Sequence, residues 1–306
     1  MGIAFEQRFF TTRDGATIGY QVAGPDDAPK ILLCNGLGGN HHAYQPLVNH
    51  LGDRFRFLVW DYRGLFTSAP PRGTWPPSLS AERLQVEQHA ADGLELLALE
   101  GYTGRFPIIA WSMGVQVALE LYRRIGARVT GMALLNGISG RIYDTVFGGL
   151  PGARQWVTPL LRVLRVIHPV AQKVVETATG WSHALDLATT LGIVHRNIDR
   201  EAAGRVLQAF GELDQQLYFV QLEVLGTHDA ADVLPTIQCP CMVTASDRDV
   251  FTPGFATRAM ASDIPDCEVF TFETASHYAP IEFADEINGH VARFLDDRVF
   301  SAASAP

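Results

Sequence analysis

Ile108-Ile109-Ala110-Trp111-Ser112-Met113-Gly114-Val115-Gln116-Val117-Ala118 reads as a strand, a sharp turn carrying one serine, and the start of a helix. The run 105–110 is short and apolar enough for a buried strand. From Val115 the apolar positions Val115, Ala118, Leu119, Tyr122 and Ile125 follow helical spacing. Between the two periods, Ala-Trp-Ser-Met-Gly is one residue away from the pattern Gly-x-Ser-x-Gly. Strand and helix pass close at such a turn, so small residues are needed two positions either side of the serine. Gly114 meets that need, and Ala110 meets it with one extra methyl. Ser112 would sit at a helix N-terminus, whose free N–H groups favour developing negative charge. A serine that merely caps an ordinary helix fits the same five residues, so the rest of the chain has to decide.

The 306 residues are 47% hydrophobic and 19% charged, the balance of a globular chain able to bury a large core as one domain or a domain with an insertion. The formal net charge is −9 and no Lys/Arg-rich run occurs, so a nucleic-acid partner is not expected. No apolar stretch approaches a membrane span, and no membrane partner is expected. The first ten residues lack the charged and apolar regions of a signal peptide. Cys34, Cys239, Cys241 and Cys267 make no disulfide framework; together these readings suggest a reducing cytoplasm.

Outward from the elbow, residues 4–23 suggest a hairpin turning at Arg13-Asp14-Gly15. Lys30–Cys34 suggests a buried strand running into Asn35-Gly36-Leu37-Gly38-Gly39. That glycine-rich turn lacks the dinucleotide spacing and suits a loop whose backbone N–H groups face a site. A short helix over 43–51, a strand over 55–60, the loop Asp61–Ser68 and a proline-rich stretch 69–77 follow. A long helix over 80–99 comes next, with Ser80 as its cap, Leu84, Ala91, Leu94, Leu97 and Ala98 on its apolar face, and Asp92 and Glu95 on its solvated face. After the elbow come a strand over 129–135 and a stretch without strands but with helical patterns over 153–167, 170–178, 183–191 and 200–226. Strands resume at 241–245, which runs into Ser246–Pro253 with Thr252-Pro253 starting a helix, and at 268–272, which runs into Ser276-His277. A helix over 281–296 closes the chain. The alternation predicts an α/β fold: a mostly parallel sheet with helices on both faces and an inserted all-helical cap. Ligands of such sheets bind beyond the carboxyl ends of the strands.

Ser112, Asp249 and His277 then stand after successive strands. A serine hydroxyl needs an imidazole to take its proton, and the imidazole needs a carboxylate on its other nitrogen. This order, with the motifs quoted above, resembles the α/β-hydrolase fold superfamily. Asn35–Gly39 is similar to its His-Gly oxyanion motif with Asn for His. Asp61–Ser68 resembles Asp-x-Arg-Gly-x-Gly-x-Ser with Phe66 in place of the second glycine. Ser246–Pro253 resembles its acid loop, whose register from Pro253 selects Asp249 over Asp247. Ser276-His277 resembles the Gly-His that ends the triad.

The resemblance implies an eight-stranded-type sheet, a core of residues 1–137 and 233–306, and a cap of residues 138–232. It implies an oxyanion hole from the N–H groups of Leu37 and Met113, with no cofactor and no metal. Asn35, Trp111 and Phe66 are candidate substrate contacts, although Trp111 also suits packing. Trp156, Trp181, Tyr218 and Phe219 read as cap core, with some facing substrate. His41-His42 reads as a rim pair, not as metal ligands. The expected activity is cleavage of a small carboxylic ester with an apolar acyl or alcohol part. Lactonase, carbon–carbon bond hydrolase, acyltransferase and cofactor-free perhydrolase activities remain alternatives on the same parts, as does a low-turnover receptor. Oligomeric state is not legible.

Overall fold

The computed structural model describes residues 2–69 and 81–301. Eight strands form one sheet: β1 (Glu6–Thr11), β2 (Thr17–Ala23), β3 (Lys30–Cys34), β4 (Arg56–Trp60), β5 (Phe106–Trp111), β6 (Val129–Leu135), β7 (Cys241–Ser246) and β8 (Cys267–Phe272). Their order is β1-β2-β4-β3-β5-β6-β7-β8. β1 pairs antiparallel with β2 and β2 with β4, and every later pairing is parallel.

Successive side chains of a strand point to opposite faces, and the core divides accordingly. Leu32, Cys34, Ile108, Ala110, Cys241 and Val243 belong to the apolar cluster on one face. Their neighbours Ile31, Leu33, Ile109, Trp111 and Met242 belong to the cluster on the other. The central strands are covered on both sides, which is why they read as continuous apolar runs.

Helices α1 (Gln45–Leu51), α2 (Val86–Leu99) and α3 (Met113–Ile125) precede β6. Between β6 and β7 lie α4 (Ile142–Gly149), α5 (Ala153–Val166), α6 (His168–Gly180), α7 (Ala184–Thr190), α8 (Arg200–Gly211) and α9 (Gln215–Leu225), with no strand among them. α10 (Gly254–Ser262) follows β7, and α11 (Ala279–Glu282) and α12 (Ala284–Phe294) follow β8, with a π-helical turn Leu295–Phe300 after them.

Several expectations need correction. The long helix starts at Val86, behind an extended Gln85 (ψ 158°). The proposed cap Ser80, with most of the proline-rich stretch, lies outside the described residues. The buried face of α2 is Val86, His89, Ala90, Gly93, Leu96 and Leu97, and Ala98 is exposed. Asp92 is fully buried, not solvated, because Arg63 reaches it with Nε at 2.7 Å and Nη2 at 2.6 Å. The single helix read over 200–226 is two, because the Asp214 carboxylate accepts the N–H groups of Gln216 and Leu217 and starts a new one. α4 escaped the sequence reading; its Phe147 and Gly148 have φ of 55° and 74°, which interrupt the helical pattern. α10 begins one residue later than expected, at Gly254, since Thr252 is engaged elsewhere.

Candidate active site

Ser112 lies between β5 and α3 with φ 57° and ψ −124°. A non-glycine residue there carries backbone strain of roughly 1–3 kcal/mol, which the surrounding packing must hold in place. The packing is tight on the glycine side: a Cβ on Gly114 would fall 2.0 Å from the Cys34 carbonyl oxygen. Ala110, one position before Trp111, has its methyl accommodated in the core with no exposure.

His277 Nε2 stands 2.8 Å from Ser112 Oγ, and His277 Nδ1 stands 2.8 Å from Asp249 Oδ2. The Asp249 carboxylate also accepts the N–H groups of Phe251 (2.9 Å) and Thr252 (2.8 Å) on Oδ1. The Thr252 hydroxyl lies 2.7 Å from Asp249 Oδ2 and 2.9 Å from the Asn136 carbonyl, which compete for its single hydrogen. Burial pushes the Asp249 carboxyl up, but the His277 imidazole and the Thr252 donors outweigh it and leave the pKa below the ordinary value. Asp247, the alternative two residues earlier, is exposed and pairs with Arg258 at 2.8 Å.

Three residues to which the sequence reading gave no part in the site fix this geometry. Asn136, at φ 45° just after β6, donates from Nδ2 to Ser246 Oγ (2.7 Å), Asp249 Oδ2 (3.3 Å) and the Ser276 carbonyl (3.4 Å). Its Oδ1 accepts the Thr244 hydroxyl at 2.9 Å. Asn136 thereby ties together the ends of three strands. Glu282 accepts the Ser276 N–H (2.8 Å) and hydroxyl (2.5 Å) on one side and the His195 N–H (2.7 Å) on the other. Thr252 is the third. An Asn directly after a buried strand was the one available signal for Asn136; Glu282 had none beyond its place near the motifs, and Thr252 was read only as a helix cap.

The glycine loop after β3 lies against Ser112, since a Cβ on Gly36 would come within 3.1 Å of Ser112 Cβ. Among the described residues the N–H groups of Leu37 and Met113 have no hydrogen-bond partner. The loop has its own braces. Tyr44 donates to the Cys34 carbonyl (2.6 Å), Tyr62 to the Asn35 carbonyl (2.7 Å), and Asn35 Nδ2 to the Trp60 carbonyl (2.9 Å). Burial raises both phenols well above their ordinary pKa, so they remain donors.

Of the three candidate substrate contacts, Asn35 is buried with its amide turned to Trp60. Trp111 is buried and donates from Nε1 to the His277 carbonyl (3.1 Å), so its bond goes to the histidine loop. Phe66 is half-buried against the core at φ 49°, the left-handed conformation for which a glycine would be preferred. The rings of His41 and His42 lie 4.1 Å apart, tilted by 48°, and burial pushes His41 down to about 3. Neither belongs to a cluster with metal-ligand geometry among the described residues.

The helical segment meets these loops directly. A Cβ on Gly38 (φ 76°) would stand 3.0 Å from the rings of Phe210 and Tyr218, and one on Gly64 would stand 2.9 Å from Leu217. Gln221 donates to the Arg63 carbonyl at 3.0 Å. Trp156 and Trp181 depart from the expected buried role, being 42% and 51% exposed. Trp156 stacks on Phe147 at 5.8 Å, and Phe219 is buried against α5.

Residues 31–289 match the model of the alpha/beta hydrolase family. The chain is 24% identical to "3-oxoadipate enol-lactonase 1" of Acinetobacter baylyi over 89% of this chain and 90% of that protein. It is 23% identical to "Proline iminopeptidase PfmaB" of Pestalotiopsis fici over 94% and 99% of the two chains. A thermophilic esterase from Thermogutta terrifontis superposes with a TM-score of 0.73 at 20% identity, over 97% of this chain and 99% of that one.

Proposed function

Because the chain belongs to the alpha/beta hydrolase family, matched from residue 31 to residue 289, we propose that it is a serine hydrolase that cleaves a small carboxylic ester with an apolar acyl or alcohol part. The observation that carries this reading is the unbroken run of hydrogen bonds from Ser112 Oγ to His277 to Asp249, both links 2.8 Å.

In this reading Ser112 Oγ attacks the ester carbonyl carbon as its proton passes to His277 Nε2. Asp249 keeps the other nitrogen protonated and stabilises the imidazolium that forms. The free N–H groups of Leu37 and Met113 receive the oxyanion, each donor contributing about 3 kcal/mol to the transition state. His277 returns the proton to the departing alcohol. A water, deprotonated in turn by His277, releases the acid from the acyl-enzyme. Residues 138–232 act as the cap, a role supported by the contacts of Phe210, Tyr218 and Leu217 with the two glycine turns. No step calls for a cofactor.

A fluorophosphonate probe is expected to label wild-type protein on Ser112, with labelling lost in S112A. Turnover is expected on short aliphatic esters. Because relatives carry the names lactonase and iminopeptidase, the panel includes a lactone and a prolyl amide. Labelling that survives in S112A, or no turnover of any ester, overturns the proposal.

A further inference from the structure

Helix α5 is apolar on two faces and uses only one. Its row Ala153, Val157, Leu161 is buried against α9 at the spacing expected of a packed face. A second row, Trp156, Leu160 and Val163, is apolar too, yet 42%, 48% and 54% exposed. The end of α5 and α6 continue it with Val166, Val170 and Val174, exposed by 79%, 62% and 62%. Thirteen of the nineteen large hydrophobic side chains exposed among the described residues fall between Phe147 and Ile193, a concentration in one stretch of the chain that ordinary scatter would not give.

The patch has a charge of its own. From Leu150 to Gly180, through the end of α6, the chain holds Arg154, Arg162, Arg165 and Lys173 against one acidic residue, Glu176, within a protein of net charge −9. Arg162 and Arg165 share Glu223 of α9, at 2.9 and 2.7 Å. Arg154 and Lys173 have no ion-pair partner among the described residues. The patch also reaches the candidate site. Phe251 lies edge-on to His277 at 5.2 Å, the Val250 carbonyl accepts the Phe147 N–H at 2.8 Å, and Phe147 stacks on Trp156.

Two occupants suit an apolar face of this size. A second copy related by two-fold symmetry would set Arg154, Arg162, Arg165 and Lys173 against the same four cations, with Glu176 the one acid on α5 and α6 to pair them. An anionic lipid surface answers both features, with phosphates for the cations and the acyl boundary for the apolar rows. We propose that the exposed face of α5 and α6 docks on an anionic lipid surface, with the entrance to the Ser112 site beside it. No helix among the described residues is long and apolar enough to cross a membrane. A helix lying in the surface needs no such length.

The test is flotation of the full chain with vesicles of phosphatidylcholine alone or mixed with phosphatidylglycerol. Wild type is expected to bind the anionic vesicles at least tenfold more tightly than the zwitterionic ones. Val163→Gln with Val170→Gln is expected to weaken that binding at least tenfold. Arg154→Gln with Lys173→Gln is expected to remove most of the preference for anionic vesicles. All four substituted side chains are exposed, so thermal melts and turnover of a soluble ester should stay at wild-type values. If the valine pair does not fold, the arginine–lysine pair and the wild-type lipid comparison decide. The proposal is overturned if wild type does not bind anionic vesicles, or if the pair variants that fold bind as wild type does. It is also overturned if the chain forms a dimer that the valine pair dissolves and that ignores vesicles.

Discussion

Ser112 and Gly114 share one turn but have different reasons for their identities. The left-handed φ of Ser112 is tolerated by strain, whereas Gly114 is dictated by space: a Cβ there would sit 2.0 Å from the Cys34 carbonyl oxygen. Backbone cannot move aside as a side-chain end can. Gly114→Ala is therefore expected to cost at least about 3 kcal/mol and lower Tm; a melt within a degree of wild type would contradict the packing. Asp249 and Asp247 separate as sharply. Asp249→Asn should retain the fold and lower kcat by about four orders of magnitude, since the imidazole loses control of its tautomer. Asp247→Asn removes only an exposed ion pair and should leave kcat within twofold. The reverse pattern in a steady-state assay would move the acid to Asp247.

At the scale of elements, the helices between β6 and β7 do different work. α8 and α9 press aromatic and aliphatic side chains onto the glycine turns, while α5 rests on α9 through Val157 and Leu161. Substitutions in the aromatic residues should then part company. Trp156→Ala, which empties the place stacked on Phe147, whose N–H donates to the Val250 carbonyl one residue before Phe251, should change the ranking of acyl chain lengths with little loss of stability. Phe219→Ala opens a buried cavity in the α5–α9 contact and should cost about 3 kcal/mol. Trp181→Ala, exposed and in contact with His183, should change neither. A chain-length series and a thermal melt on each variant check all three.

Across the whole molecule, the loop after β4 carries buried charge between sheet and helices. Arg63 is held by Asp14 and Asp92, with bonds of 2.6–2.9 Å. Removing the guanidinium would strand Asp92 in the core, so Arg63→Met should destabilise by about 3–5 kcal/mol. Asp61, two residues earlier, has no cation beside it among its bonded partners, and burial pushes its carboxyl up to about 6. A carboxyl raised above its unfolded value binds its proton more tightly in the folded state. Its contribution is most favourable below about pH 4 and is lost as pH rises through about 6. The stability of Asp61→Asn relative to wild type should therefore improve by about 2–3 kcal/mol between pH 4 and pH 7. A difference that is constant across that range in denaturant titrations would show that Asp61 is not buried as described.

The order of strands and helices, the serine turn and the position of the histidine were all legible in the chain, because each rests on a local rule. Apolar period, glycine at a tight turn and the end of a buried strand are written within a few residues of where they act. Most strand bounds agree with the sequence reading to within a residue for the same reason: a strand covered on both faces is an apolar run with sharp ends. What the sequence could not say depends on residues far apart in the chain. Asp92 looked like a solvated helix residue because its partner, Arg63, lies 29 positions away. Asn136 and Glu282 gain meaning only when three strand ends meet at one edge. The exposed row on α5 had the spacing of a core face, and only the packing of α9 on the opposite row decided which side is buried and which is left to solvent.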